Sequence, residues 1–206
     1  MAKEKNLYFS LLEEQARCCA EAAKWLRARI APTSAESAAS PHEPTPTALR
    51  RAAELHNAVA DRLITEFITP IEPEDILALS VCLNGIADAL GETEAELALF
   101  CPARLPPSLS TLSEALERCV LTLANIVGDL HGFKRPEALL PRLREVYGQA
   151  REAHSIYTES LSLLLASPLS PKEWIGAKSV CDRLMHDATL CRGAAERIEQ
   201  LLIKNA

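Results

Sequence analysis

Apolar residues recur at alternating steps of three and four in six stretches of the chain, and proline-rich segments separate these stretches. Such spacing places the apolar side chains along one face of an α-helix, here called a seam. Regular seams favour near-parallel packing of long helices. We therefore predict an all-α protein with six long antiparallel helices in a bundle, forming a single domain over residues 1–206. The predicted seams run over residues 9–30, 49–67, 76–100, 109–130, 140–164 and 174–202.

The composition supports a helical core. Hydrophobic residues make up 48% of the chain but aromatic residues only 4%, so the core must consist mainly of Leu, Ala, Ile and Val. A chain of 206 residues is long enough to bury about 70% of the surface of its unfolded state. Because aromatic residues are enriched in strands and Leu and Ala are strong helix formers, this composition favours helices over sheets.

The charge of the chain disfavours several classes of partner. The formal net charge is −6 and the isoelectric point is near 5.5, so nucleic acids and anionic lipids are not expected to bind. The longest nearly apolar run, residues 161–169, is far shorter than the roughly 20 residues that a membrane span requires. Any membrane association is therefore expected to come through a partner.

The cysteines indicate a reducing compartment. They are seven, an odd number, and no two of them form a CxxC pair; the chain also begins with Met-Ala-Lys-Glu-Lys-Asn, which is not a secretory signal. We expect free thiols and a cytoplasmic protein. The seven lie at positions 18, 19, 82, 101, 119, 181 and 191.

Several local patterns predict where helices begin and end. Ser170-Pro171-Lys172-Glu173 is a capping box with proline at the first helical position, and Thr111 with Glu114 forms a second candidate box. Pro73 with Asp75 predicts an acidic helix start, and Gly132 with Pro136 predicts a helix end. Residues 31–47 are rich in Ser, Ala and Pro and are predicted to be a mobile linker.

A weak internal repeat suggests two related halves. Pro70-x-x-Pro73 and Ser80-Val81-Cys82 recur about 98 residues later as Pro168-x-x-Pro171 and Ser179-Val180-Cys181. Together with the six seams, this repeat predicts two three-helix halves, at about residues 1–101 and 108–206.

Candidate chemical residues are few. His56 and His154 fall on predicted seams, where a neutral, hydrogen-bonded imidazole is the more common state. Cysteines on or near the seams are better explained as small packing residues than as nucleophiles or ligands. His186 and Asp187 are adjacent and point about 100° apart on a helix, so they cannot bind one metal together. Without a known catalytic motif, we predict no catalytic or cofactor-binding residue and no enzyme activity.

Two segments resemble a known family. Phe9-Ser10-Leu11-Leu12-Glu13-Glu14-Gln15-Ala16 resembles the opening helix of the Pit-accessory branch of the PhoU-like family, and residues 67–76, beginning Phe-Ile-Thr-Pro, resemble that branch's most recognisable segment. Residues 157–205 are similar to the same family. The resemblance implies a PhoU-like bundle of two three-helix halves, a cytoplasmic accessory protein of inorganic phosphate transport that forms a homo-oligomer. Its implied partner is a phosphate transporter of the Pit type or a signalling protein.

The resemblance also raises the question of metal binding. Members of the PhoU-like group hold multinuclear metal with acidic clusters, but most of the corresponding positions in this chain carry no carboxylate. We therefore predict no metal site. The alternative is a metal-binding bundle that uses the residual candidate ligands Asp88, His154 and His186. The corresponding positions are Leu49, Ala53, Asn84, Gly85, Ala150, His154, Thr189 and Gly193, with Asp88 nearby.

Overall fold

A computed structural model describes residues 7–31, 44–100 and 106–205, and these residues form six α-helices without a β-strand. The prediction of an all-α protein with six long helices is confirmed. Two short 3₁₀ turns, Leu130–Gly132 and Pro136–Ala138, follow the fourth helix. The helices are α1 (Leu7–Ile30), α2 (Pro44–Thr65), α3 (Pro73–Phe100), α4 (Pro107–Gly128), α5 (Leu140–Leu165) and α6 (Pro171–Lys204).

The helices pack as two groups of three. α1, α2 and α3 contact one another, as do α4, α5 and α6, and the two groups meet mainly where α1 packs on α4 and α3 packs on α6. The α3–α6 pair is antiparallel, since Gly176 near the start of α6 lies against Phe100 at the end of α3. A Cβ atom added to Gly176 would lie 2.9 Å from the Phe100 side chain, so this close approach requires glycine. α1, α3, α4 and α6 are therefore the inner helices, and α2 and α5 are the outer ones.

The predicted seams are correct on the inner helices, displaced by one residue on α2 and partly wrong on α5. On α1 all predicted seam residues from Phe9 to Ile30 are buried. On α2 the predicted seam passed through His56 and Phe67, but the buried face lies one residue earlier and consists of Ala48, Ala52, Leu55 and Val59. An outer helix buries a narrow face of small side chains, so a neighbouring row with the same spacing matches the pattern equally well.

The same kind of error occurs on α5. Val146 and Ala153 are buried instead of the predicted Tyr147, which is half-buried, and His154, which is exposed. Leu143, Ala150 and Leu164 are buried as expected. In the middle of α5 the buried face is therefore displaced by one residue from the predicted seam, and the side chains on it are small.

The predicted helix ends are partly confirmed. Ser170 and Glu173 form the capping box, with both of its hydrogen bonds, and Pro73 begins α3 with Glu74 and Asp75 in the first turn. The box at Thr111 is wrong, because prolines 106 and 107 set the start of α4 and the Thr111 hydroxyl lies within the helix.

Two other boundaries also differ from the prediction. α4 ends at Gly128, and Gly132 and Pro136 lie in the 3₁₀ turns that follow. α2 begins at Pro44, so the last four residues of the predicted linker 31–47 are helical, while residues 32–43 lie outside the described residues. Linker mobility stays a prediction.

α3 is more apolar than its lack of a long uninterrupted apolar run indicated. Its length and composition alone would allow it to cross a membrane, but half of its most apolar stretch is buried inside the bundle. Ile76, Leu79, Leu83 and Ile86 all face the core. The apolar character of α3 is therefore used in packing against α1, α2 and α6.

Candidate functional site

The candidate metal ligands lie on different helices and are all exposed. Asp88 on α3 accepts a hydrogen bond from Asn84 Nδ2 at 2.8 Å, and the His154 ring on α5 lies 6.3 Å from the Tyr157 ring of the same helix. His186 is on α6. Among the described residues, no three His, Cys, Asp or Glu side chains are arranged to hold a metal ion. The structure therefore does not bring Asp88, His154 and His186 together as a site.

The positions that correspond to the PhoU-like metal clusters carry unsuitable side chains. Leu49 and Ala53 on α2 are half-buried, and Ala150 on α5 is buried, so these three contribute apolar contact and no donor atom. Thr189 is exposed, and Gly193 has no side chain. These residues do not fit a multinuclear metal centre, and the metal content of the protein stays a prediction.

A buried polar network joins the three helices of the first half. Ser80 Oγ on α3 donates to Gln15 Oε1 on α1 at 2.9 Å, and Gln15 Nε2 donates to the Ser80 carbonyl oxygen at 3.0 Å. His56 Nδ1 on α2 lies 3.0 Å from Ser80 Oγ. Since the only hydroxyl hydrogen of Ser80 goes to Gln15, His56 must donate through Nδ1–H. As expected, His56 is hydrogen-bonded, although it is half-buried rather than fully enclosed.

A second polar contact joins the two halves. Asp187 on α6 is fully buried; its Oδ2 lies 2.8 Å from Thr93 Oγ1 on α3, and its Oδ1 has no hydrogen-bond partner among the described residues. Thr93 Oγ1 also lies 3.0 Å from the Ala89 carbonyl oxygen. Burial raises the pKa of Asp187 from 3.8 to about 7. A protonated Asp187 can donate to Thr93, whose hydroxyl then donates to Ala89.

Asp187 was missed at the sequence level, although a signal was present. The predicted seam of α6 ran through Leu184, Ala188 and Cys191, whereas Asp187 follows Leu184 by three residues and precedes Cys191 by four. It therefore fits the same step rule and lies on the same broad buried face. Because aspartate is usually exposed, this position was not assigned to the buried face.

The buried cysteines behave as packing residues. Cys19 Sγ donates to the Leu83 carbonyl oxygen at 3.3 Å, and burial raises the pKa of Cys19 and Cys181 to about 12. A hydrogen bond with Cys119, together with burial, raises the pKa of Cys191. These groups are neutral thiols in the folded protein and are poor nucleophiles. Cys101 lies outside the described residues.

The most exposed apolar surface lies at the connection between α2 and α3. We call residues 66–72 the first turn, and Ile64, Phe67 and Ile68 the apolar patch. Phe67 is fully exposed at 102%, Ile64 is 83% exposed and Ile68 is 64% exposed. The predicted seam of α2 extended to Phe67, but α2 ends at Thr65, so the helical spacing does not reach this residue. Phe67 projects into solvent instead.

The first turn is held firmly against the bundle. Ile71 is buried in the core, and the Thr69 hydroxyl donates to the Ile71 carbonyl oxygen at 2.6 Å. Arg62 forms an ion pair with Glu66 at the end of α2. Pro70 and Pro73 each fix one backbone angle φ. These contacts hold the backbone of the turn against the bundle, which lowers the entropy that a partner must remove on binding.

Carboxylates flank the apolar patch in the sequence. The segment 61–75 carries five of them against one cation, Arg62. From α6, Lys204 adds a second cation, which pairs with Glu72 and with Asp75 at 3.2 Å. We call the five carboxylates the acidic rim: Asp61, Glu66, Glu72, Glu74 and Asp75.

Comparison with known proteins places the bundle among known folds. No family model matches the chain. The chain is 24% identical over 140 residues to the UPF0111 protein YkaA of Bacillus subtilis (strain 168), a match that covers 68% of each protein. The crystal structure of a PhoU-like protein from Shewanella oneidensis MR-1 superposes with a TM-score of 0.81 over 95% of this chain and 99% of that one, at 16% identity. The fold is PhoU-like.

These findings confirm the predicted bundle of two three-helix halves. The similarity to the UPF0111 protein is consistent with the PhoU-like family.

Proposed function

We propose that this protein is a non-enzymatic, cytoplasmic accessory protein of inorganic phosphate transport, which acts by contacting a membrane transporter of the Pit type through the first turn. The observation that carries the proposal is the full exposure of Phe67 on a turn that buried Ile71 holds in place. Exposed aromatic side chains on fixed backbone are typical centres of protein interfaces. In this proposal the protein reaches the membrane only through its partner.

The location of the polar groups supports a role at the surface. Gln15, Ser80 and Asp187 are each 0% exposed, so their hydrogen bonds stabilise the bundle and are closed to a substrate. Several acids and bases at the surface of the described residues form ion pairs between helices, such as Arg51 with Glu14 and Arg183 with Glu92. Contact with a partner fits this surface better than catalysis does.

Co-sedimentation with membranes tests the proposal. The chain and a phosphate transporter of the Pit type are co-expressed, membranes are collected, and the bound fraction of wild type is compared with that of Phe67→Ser. The matched control is Leu165→Ser, since Leu165 lies 98 residues after Phe67 and is 75% exposed. We expect Phe67→Ser to release most of the protein into the soluble fraction and Leu165→Ser to release little. Equal behaviour of the two variants, or sedimentation without the transporter, would contradict the proposal.

A further inference from the structure

The charge around the apolar patch distinguishes it from an ordinary exposed hydrophobic surface. Arg62 and Lys204 form ion pairs with three members of the acidic rim, Glu66, Glu72 and Asp75. Asp61 and Glu74 are exposed and form no ion pair with any residue that the structure describes. Two unpaired carboxylates, Asp61 near the end of α2 and Glu74 at the start of α3, therefore lie on either side of the fully exposed Phe67 in the sequence.

We infer that the occupant of the apolar patch is an apolar segment flanked by lysine and arginine, on the cytoplasmic face of the transporter. This inference rests on the proposed function. Cytoplasmic loops of membrane proteins carry an excess of Lys and Arg close to their apolar spans, which matches an apolar patch with carboxylates on both sides of it in the sequence. Complementary charge speeds association and fixes orientation, while a buried aromatic residue supplies most of the affinity.

The same charges disfavour the other occupants of such a patch. A second copy of this chain docking by the same face would bring two acidic rims together, and like charges facing each other across an interface oppose association. A homo-oligomer of this chain would therefore use another surface. An anionic membrane surface would also repel Asp61 and Glu74, because the negative surface potential of the inner leaflet attracts only basic segments.

Binding of synthetic peptides tests the inference. One peptide has a short apolar centre with Lys and Arg flanks, and a second has the same centre with Glu flanks. Fluorescence anisotropy with the full chain should show at least about tenfold tighter binding of the basic peptide at about 0.05 M salt. This preference should shrink strongly at about 0.5 M salt, where exposed charges are screened over a few ångströms.

Three variants separate the apolar and the charged contributions. Phe67→Ser should weaken binding of the basic peptide by about tenfold or more at both salt concentrations. Asp61→Asn with Glu74→Gln should weaken it severalfold at low salt only. The control is Glu159→Gln, because Glu159 lies 98 residues after Asp61, near the connection between α5 and α6. This substitution should leave binding of the basic peptide unchanged. All these residues are exposed, so the variants should fold, and circular dichroism checks this.

Each outcome decides between the inference and its competitors. Equal binding of the two peptides, binding to vesicles that contain phosphatidylserine, or dimerisation that Phe67→Ser abolishes would overturn the inference. If Phe67→Ser releases the protein from transporter-containing membranes but the rim variants change neither peptide binding nor release, the inference fails and the proposed function stands. If the basic peptide binds as expected but the transporter does not retain the protein, the proposed function fails instead.

Discussion

Two connections of this bundle occupy equivalent places in its halves but differ in chemistry. The first turn joins α2 to α3, and the second turn, residues 166–170, joins α5 to α6 at the opposite end. Both expose large apolar side chains, since Leu163 and Leu165 beside the second turn are 54% and 75% exposed. The segment 159–173 carries two carboxylates and one lysine, against five carboxylates and one arginine over 61–75. Apolar exposure is therefore common to both turns, whereas the aromatic ring and the acidic rim are specific to the first.

The two turns are also fastened differently. Ile71 of the first turn is buried, while Leu169, 98 residues later, is only half-buried. The second turn instead ends in the capping box of Ser170 and Glu173. A buried side chain anchors the first turn, which we propose binds a partner, whereas local hydrogen bonds anchor the second turn. This contrast predicts different responses to mutation.

The largest effect on stability should come from the anchor of the first turn. Ile71→Ala should lower the free energy of unfolding by about 2–4 kcal/mol, because it removes a buried side chain and leaves a cavity. Leu169→Ala should lower it by less than half as much, since Leu169 already contacts solvent. Urea unfolding of both variants measures the difference. Equal losses would show that the two turns are anchored alike.

The second prediction concerns Asp187 on α6, whose equivalent position on α3 is Ala89. Asp187 has a pKa of about 7 in the folded chain and an ordinary value of 3.8, so the folded state holds its proton more tightly. Its contribution to stability is complete below about pH 4, falls as the pH rises, and is lost above about pH 7. The hydrogen bond with Thr93 and the charge of Arg183 oppose this shift and Glu92 adds to it, each less than burial does.

Asp187→Asn should therefore be more stable than wild type above pH 7, by a few kcal/mol at most, and the gain should shrink toward pH 4. Asp88→Asn is the control, because Asp88 is exposed on α3. Urea unfolding at several pH values between 4 and 8 provides the measurement. A difference from wild type that does not vary with pH would show that Asp187 is not protonated in the folded protein.

A smaller effect should distinguish the starts of α3 and α6. Ser170→Ala removes the side chain that caps α6 and should cost about 1 kcal/mol. Lys204→Ala breaks exposed ion pairs to Glu72 and Asp75 at the start of α3 and should cost clearly less, because solvent screens exposed pairs. Thermal unfolding should show the larger shift for Ser170→Ala. The reverse order would mean that the ion pairs of Lys204 matter more to the fold than the capping box.

The metal content of the protein should be low in spite of its PhoU-like fold. Leu49, Ala53 and Ala150 offer no donor atom, and Asp88 and His154 are exposed on different helices. Elemental analysis of tag-free protein should find well under one tightly bound metal ion per chain, and chelators should leave thermal unfolding unchanged. Two or more iron or zinc ions per chain would show that other residues form a site.

The sequence predicted the inner part of the bundle better than its outer part. On α1, α3, α4 and α6 nearly every residue of the predicted seam is buried, so the spacing identified the face that packs inward. On α2 the narrow face of Ala48, Ala52 and Val59 lies beside a similar row that includes His56, and spacing alone cannot choose between them. Phe67 was misplaced because the helical spacing was continued beyond Thr65, where the helix ends.

The internal repeat shows the same limit of sequence patterns. Ser80-Val81-Cys82 and Ser179-Val180-Cys181 are 99 residues apart, but Val81 is 52% exposed while Val180 is buried. A spacing of 98 instead aligns buried Leu79, Leu83 and Leu90 with Ala177, Cys181 and Ala188. The two Ser-Val-Cys tripeptides are therefore offset by one residue from the alignment of the buried positions on α3 and α6.

Hydrogen exchange with and without the transporter tests the central claim most directly. The chain is incubated in deuterated buffer alone and with a Pit-type transporter in nanodiscs, and amide exchange is measured by mass spectrometry. Our account predicts slower exchange in the bound state over residues 61–75 and unchanged exchange over 159–173, because only the first turn is covered. Protection centred on the second turn, or none anywhere in a complex shown to form, would contradict the claim that the first turn carries the function.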